Sequence, residues 1–127
     1  MKTPIITFLL LLSCTAMMLA QGQATKLDPA EYRKKTEGKN VQLVDIRSPQ
    51  EYANGHITNA ENQNFYSATF YSDLDKYNKS QPLYIYCRSG NRTSLAINEL
   101  QKIGFVQVID LKTGLNGWIQ ANYTVVK

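Results

Sequence analysis

Residues 83–95 read LYIYCRSGNRTSL, the pattern of a strand, a tight loop and a helix start in succession. Leu83-Tyr84-Ile85-Tyr86 is a continuous β-favouring run, the pattern of a strand covered on both faces. Cys87 stands where the run ends. Arg88-Ser89-Gly90-Asn91-Arg92 follows as a tight polar loop, with Gly90 for sharp backbone curvature and two cations. Thr93 or Ser94 is then expected to cap a helix whose apolar positions Ala96, Leu100 and Ile103 recur at i, i+4 and i+7. A loop wrapping into a helix N-terminus aims successive backbone N–H groups inward and forms an anion nest. A cysteine at its base has its thiolate favoured by those dipoles and by Arg88 and Arg92. The alternative is a cysteine that merely fills core space, which has no use for two arginines and a glycine loop.

Working outward, strand and helix signals alternate. Leu27-Asp28-Pro29-Ala30-Glu31 opens a helix, with Asp28 as N-cap, Pro29 in the first turn, Glu31 reaching back as in a capping box, and Gly38 at the end. Residues 41–46 (VQLVDI) read as a strand. Ser48-Pro49-Gln50-Glu51 repeats the capping signal for a short helix closed by Gly55. Residues 60–64 are a candidate short strand, and residues 66–76 are a helical segment with Phe70, Leu74 and Tyr77 at apolar spacing. Gly104 ends the helix after the Cys87 loop, residues 106–111 (VQVIDL) form a further strand, and Gly114-Leu115-Asn116-Gly117-Trp118 starts a last helix. Alternation of this kind implies an α/β domain with a mostly parallel sheet and helices on both faces. Ligand chemistry in such sheets sits at the carboxyl ends of the strands, where Cys87 falls.

The 127 residues suit one domain, and a hydrophobic content of 43% supports a packed core. The net charge of +4 is modest, and its only cluster, Arg33-Lys34-Lys35, reads as a solvated helix face. No nucleic-acid footprint is present. Residues 1–20 carry a basic start at Lys2, an apolar core over 5–12 and a small-residue exit at Ala20, the pattern of a secretory signal too short to span a membrane. Cleavage is expected before Gln21, with Ala24 as a second choice, leaving residues 21–127 as a single domain that is periplasmic or secreted, with no membrane attachment. The rival reading is a lipobox at Leu11-Leu12-Ser13-Cys14, which would anchor the chain through lipidated Cys14; the apolar run from Thr15 to Ala20 argues that the signal continues past it. Cleavage before Gln21 leaves Cys87 as the one cysteine, so there is no disulfide framework.

Three segments, in this order, resemble the signatures of the rhodanese family of sulfurtransferases. Asp45-Ile46-Arg47 with Glu51-Tyr52, Gly55-His56-Ile57 and Ala60 is similar to the N-terminal signature, Cys87-Arg88-Ser89-Gly90-Asn91-Arg92 to the active loop, and Gly114-Leu115-Asn116-Gly117-Trp118 to the C-terminal one, with Leu-Asn where a Gly is frequent. The resemblance implies a rhodanese-like three-layer domain with a mainly parallel five-stranded sheet. It also implies transfer of a sulfane sulfur from a small anionic donor such as thiosulfate to a thiophilic acceptor, either cyanide, a thiol or a sulfur-acceptor protein, through a persulfide on catalytic Cys87. Substrate binding falls to Arg88, Ser89, Gly90, Asn91 and Arg92. Such covalent two-step chemistry needs no metal and no organic cofactor.

Asp45, Arg47 and Glu51 are expected in a supporting ion-pair network beneath the loop. His56, the one histidine, lacks partner ligands for a metal and is expected to hydrogen-bond a backbone group. Trp118 is expected in the core, with one side of the pocket as its other candidate place. Sequons at Asn78, Asn91 and Asn122 are short matches that arise by chance. Two other functions compete. A Cys-dependent phosphatase loop places Arg six residues after the Cys, whereas here that position is Thr93 and Arg92 comes one earlier. A non-enzymatic persulfide carrier would use the same Cys87.

Overall fold

The computed structural model describes residues 23–127; the expected signal segment, its cleavage site at Ala20 and Cys14 lie outside the described residues. Five strands, β1 (Gln23–Leu27), β2 (Gln42–Asp45), β3 (Glu61–Asn62), β4 (Leu83–Tyr86) and β5 (Gln107–Leu111), form one sheet in the order β1-β5-β4-β2-β3. Every pairing is parallel. The helices are α1 (Pro29–Thr36), α2 (Pro49–Ala53), α3 (Phe70–Asp73, continued by a 3₁₀ turn Leu74–Lys76), α4 (Asn91–Lys102) and α5 (Gly114–Gln120).

Strand alternation splits the core into two layers, because successive side chains point to opposite faces. Val44, Ile85, Cys87 and Val108 face α3 and α4, packing with Phe70, Leu74, Ala96 and Leu100. Leu43, Tyr84, Tyr86 and Ile109 face the other way, onto Tyr32 of α1 and Leu115 and Trp118 of α5. The middle strand, β4, is buried at all four positions, as expected of a strand covered on both sides. Its carboxyl end carries Cys87.

Several local expectations need correction. Asp28 is the N-cap of α1 but makes no side-chain cap bond, so no capping box forms there; Glu31 instead meets Lys34 one turn on. The helix ends at Thr36, and Gly38 adopts its left-handed conformation (φ 68°) just beyond. The Ser48–Glu51 capping box does form: the Ser48 hydroxyl accepts from the Glu51 amide and the Glu51 carboxylate accepts from the Ser48 amide. The segment 66–76 is helical only from Phe70, where burial of Phe70 and Leu74 anchors it. Strand β1 had no signal in the sequence. It is mostly exposed and is strand only because it pairs with β5 along its whole length.

Candidate active site

Cys87 is 1% exposed, at the top of β4. The amide of Gly90 donates to its Sγ at 3.2 Å. Gly90 is the N-cap of α4, with φ 98°, a conformation open to glycine at little strain. The helix therefore begins at Asn91, three to four residues earlier than Thr93 or Ser94 as caps would allow. Asn91 and Arg92 lie on its first turn rather than in the loop, and the N–H groups of that turn have no acceptor within the helix. The first closed turn is the Ser94 amide to the Gly90 carbonyl, 3.2 Å. Thr93 is not a cap because its side chain is drawn inward: Oγ1 is 3.7 Å from Cys87 Sγ and donates to Asp110 Oδ2 at 2.9 Å.

The loop is held from behind by α5. The amides of Leu115 and Asn116 donate to the carbonyls of Cys87 and Arg88, at 2.9 and 3.0 Å. A Cβ on Gly114, which has φ 63°, would stand 2.4 Å from the Arg88 carbonyl carbon, so the approach requires glycine twice over. This is the physical content of the Gly114 segment: it forms the support of the Cys87 loop.

The two expected loop cations behave differently. Arg88 and Ser89 are exposed, and Arg88 lines a cleft of about 330 Å³ with Arg47, Glu51, Asn54, Gly55, Leu115 and others. Arg92 turns away to a bidentate pair with Glu51 and lies over the Tyr66 ring, 5.6 Å from Cζ to centroid. Its guanidinium holds the Glu51 carboxyl down at about 2, well below the usual carboxylate range. The expected single network of Asp45, Arg47 and Glu51 is thus two separate pairs. Arg47 and Asp45, both buried, bond each other at 2.7 Å, and Arg47 also donates to the Gly55 carbonyl at 2.6 Å. That pair ties the end of β2 to the turn after α2, and Arg47 reaches the cleft wall. Glu51 goes to Arg92 because the capping box points its carboxylate toward the start of α4.

His56 Nδ1 donates to the Tyr52 carbonyl at 2.9 Å and its ring stacks on Tyr52, the expected backbone role. Trp118 is in the core, but the cavity it lines is another one, of about 150 Å³, shared with Arg33, Thr36 and Leu43. It sits there because α5 presents Trp118 to Tyr32, opposite the Cys87 layer.

Asp110 is the residue that sequence reasoning missed. It lies in β5 with no exposure, and burial pushes its carboxyl up to about 6 against the Thr93 hydrogen bond and the Lys26 charge. A lone acid inside an otherwise apolar run, Val108-Ile109-Asp110-Leu111, was the available signal.

A strand end carrying a buried cysteine, a glycine-capped helix start over its sulfur and a second glycine segment behind the loop define a rhodanese-like site. The chain belongs to the rhodanese-like domain family, which matches residues 28–121. Thiosulfate sulfurtransferase GlpE of Shewanella oneidensis is 36% identical over 90 residues, which is 68% of this chain and 84% of that protein. The Bacillus subtilis protein YqhL, itself uncharacterized, is 32% identical over 89 residues, 70% of this chain, and the match spans 64% of its length. Among solved structures, a rhodanese-like domain protein from Staphylococcus aureus superposes with a TM-score of 0.65 at 29% identity, covering 74% of this chain and 90% of that one.

Proposed function

We propose that the protein moves a sulfane sulfur from thiosulfate, or a similar small anionic donor, to a thiophilic acceptor through a persulfide on Cys87. The observation that carries this reading is the Gly90 N–H directed at Cys87 Sγ from the N-cap of α4. The Cys87 thiolate attacks the outer sulfur of thiosulfate. A new S–S bond forms, and the bond to the inner sulfur breaks, with sulfite leaving on its electron pair. The persulfide's outer sulfur is anionic, and the amides of the α4 first turn suit it. Arg88, free on the cleft rim, attracts the donor dianion by charge. Arg92, whose charge is matched by the Glu51 carboxylate, fixes the start of α4. A second nucleophile, cyanide, a thiol or an acceptor protein, then removes the outer sulfur and frees the Cys87 thiolate. The test is mass spectrometry of the protein after thiosulfate. One added sulfur on Cys87, removed by cyanide and absent in Cys87→Ser, supports the reading; normal thiosulfate:cyanide turnover in Cys87→Ser sinks it.

Export belongs to the same proposal, on the basic and apolar pattern of residues 2–20. Cleavage before Gln21 leaves β1 whole, whereas cleavage after Ala24 would remove its first two residues. N-terminal sequencing of the protein from its host should begin at Gln21 and locate it in the periplasm or medium. A lipid-modified Cys14 at the N-terminus would instead make it a membrane-anchored lipoprotein.

A further inference from the structure

Asp110 and Cys87 are joined by one hydroxyl. Thr93 Oγ1 stands 2.9 Å from Asp110 Oδ2 and 3.7 Å from Cys87 Sγ, and all three residues are buried. A third neighbour, the Gly90 carbonyl at 3.1 Å, already receives the Ser94 amide at 3.2 Å and the Ser94 hydroxyl at 2.7 Å. The Thr93 hydrogen is thus left to choose between carboxyl and sulfur. An ionised carboxylate can only accept, so it takes that hydrogen, and Thr93 then turns a lone pair toward Cys87. A protonated Asp110 donates to Thr93 instead and frees the hydroxyl hydrogen for a thiolate.

We propose that Asp110, acting through Thr93, holds the proton that Cys87 gives up, so that the two residues share one proton during the reaction. Asp110 is in this sense a positioning residue, and the proposal rests on the sulfur-transfer reading above. The proton moves from Sγ to Thr93 Oγ1 while the Thr93 hydrogen passes to Asp110 Oδ2. Cys87 becomes a thiolate with a hydroxyl donor, and Asp110 becomes a neutral acid. When thiosulfate has delivered its outer sulfur and sulfite has left, the site carries the persulfide charge alone. When the acceptor removes that sulfur, the departing Cys87 thiolate recovers its proton by the reverse path. No proton has to enter from solvent, and two negative charges never face each other across Thr93.

The surroundings suit a carboxyl that is neutral for part of the cycle. Oδ1 of Asp110 has no hydrogen-bond partner among the described residues, a setting that penalises the ionised form far more than the neutral one. The groups around it come from four elements. Lys26 of β1 is its register partner, but its ammonium is directed at the Ser94 hydroxyl (2.8 Å). Tyr32 of α1 feels the Asp110 charge and donates its own hydroxyl to the Ile85 carbonyl. Thr93 of α4 and Cys87 beyond β4 complete the set. The raised Asp110 carboxyl, at about 6, places its titration where the enzyme can use both forms.

The test is the pH dependence of Cys87 alkylation by iodoacetamide, followed by mass spectrometry on the whole protein. This reaction needs no sulfur donor. In the wild type the rate should rise in two steps, the lower one near pH 6, with a plateau between them where the pair shares one proton. Asp110→Asn should show a single step, because the amide supplies no second titration. Thr93→Val should lower the plateau tenfold or more, and Thr93→Ser should restore it. Superimposable profiles for wild type and Asp110→Asn overturn the proposal, as does an unchanged plateau in Thr93→Val, which also decides the matter should Asp110→Asn fail to fold. A wild type that alkylates in two steps yet forms no persulfide from thiosulfate refutes sulfur transfer and leaves the shared proton standing.

Discussion

Arg92 and Glu51, 41 residues apart, form a bidentate ion pair, with Nη1 to Oε1 at 2.8 Å and Nη2 to Oε2 at 2.9 Å. The pair joins the first turn of α2 to the first turn of α4, and so braces the Cys87 loop against the N-terminal half of the domain.

The brace has a pH signature. Glu51 is held at about 2 in the folded protein, below its unfolded value of 4.5. A lowered carboxylate stabilises the fold above the unfolded value, and that contribution is lost as pH falls from about 4.5 to about 2. Partial solvent access reduces the effect to about 1 kcal/mol. Glu51→Gln should lose that amount at pH 7 in urea unfolding and should match the wild type near pH 2. Equal stability at pH 7 would mean that the pair contributes nothing.

Asp110 has the opposite sign. Its carboxyl is raised from 3.8 to about 6, so the folded state binds a proton more tightly than the unfolded chain. Stability is highest below about pH 4 and falls as pH rises through 6. Asp110→Asn should therefore stabilise the protein at pH 7.5 by on the order of 2 kcal/mol and leave it unchanged at pH 3.5. Thermal unfolding at the two pH values measures this, and destabilisation at pH 7.5 would contradict it.

Gly114→Ala should be damaging despite its small size. The residue has φ 63°, and a Cβ there meets the Arg88 carbonyl carbon and oxygen at 2.4 Å and the Ser89 amide nitrogen at 2.6 Å. The expected cost is about 1–3 kcal/mol of strain, together with displacement of the Cys87 loop. Sulfur transfer should drop at least tenfold under conditions where circular dichroism still reports a folded domain. Wild-type turnover would show that the loop does not depend on this contact.

Arg88→Ala should lower kcat/KM for thiosulfate by about tenfold, the loss of one charge-assisted interaction of about 1.4 kcal/mol. The defect should shrink as salt is raised, because an exposed cation acts through screened charge. Arg92→Ala should instead lower stability along with turnover, since its guanidinium is committed to Glu51. Identical salt-dependent defects in both variants would reverse this assignment.

Much of the fold is legible in the sequence, because it rests on local physics. The β4 run, the Ser48 capping box and the apolar spacing of α4 each specify their element within a few residues, and their alternation implies the parallel sheet. In the Cys87 loop the sharp turn at Gly90 was readable from the glycine, whereas the place of Asn91 and Arg92 on α4 and the turning of Arg92 to Glu51 were not.

What tertiary structure alone decided is who meets whom over long separations. Strand β1 is polar and exposed, so nothing local marks it, and it exists because β5 offers an edge. Thr93 looks like a cap by composition, yet Gly90 takes that place while the Thr93 hydroxyl turns to Asp110, 17 residues away. Glu51 stands close in sequence to Arg47, yet its capping geometry delivers it to Arg92. A side chain's local preference depends on its immediate neighbours, and the sequence shows those. The partner of a buried charge depends on which strand ends the sheet gathers together, and only the packed chain sets that.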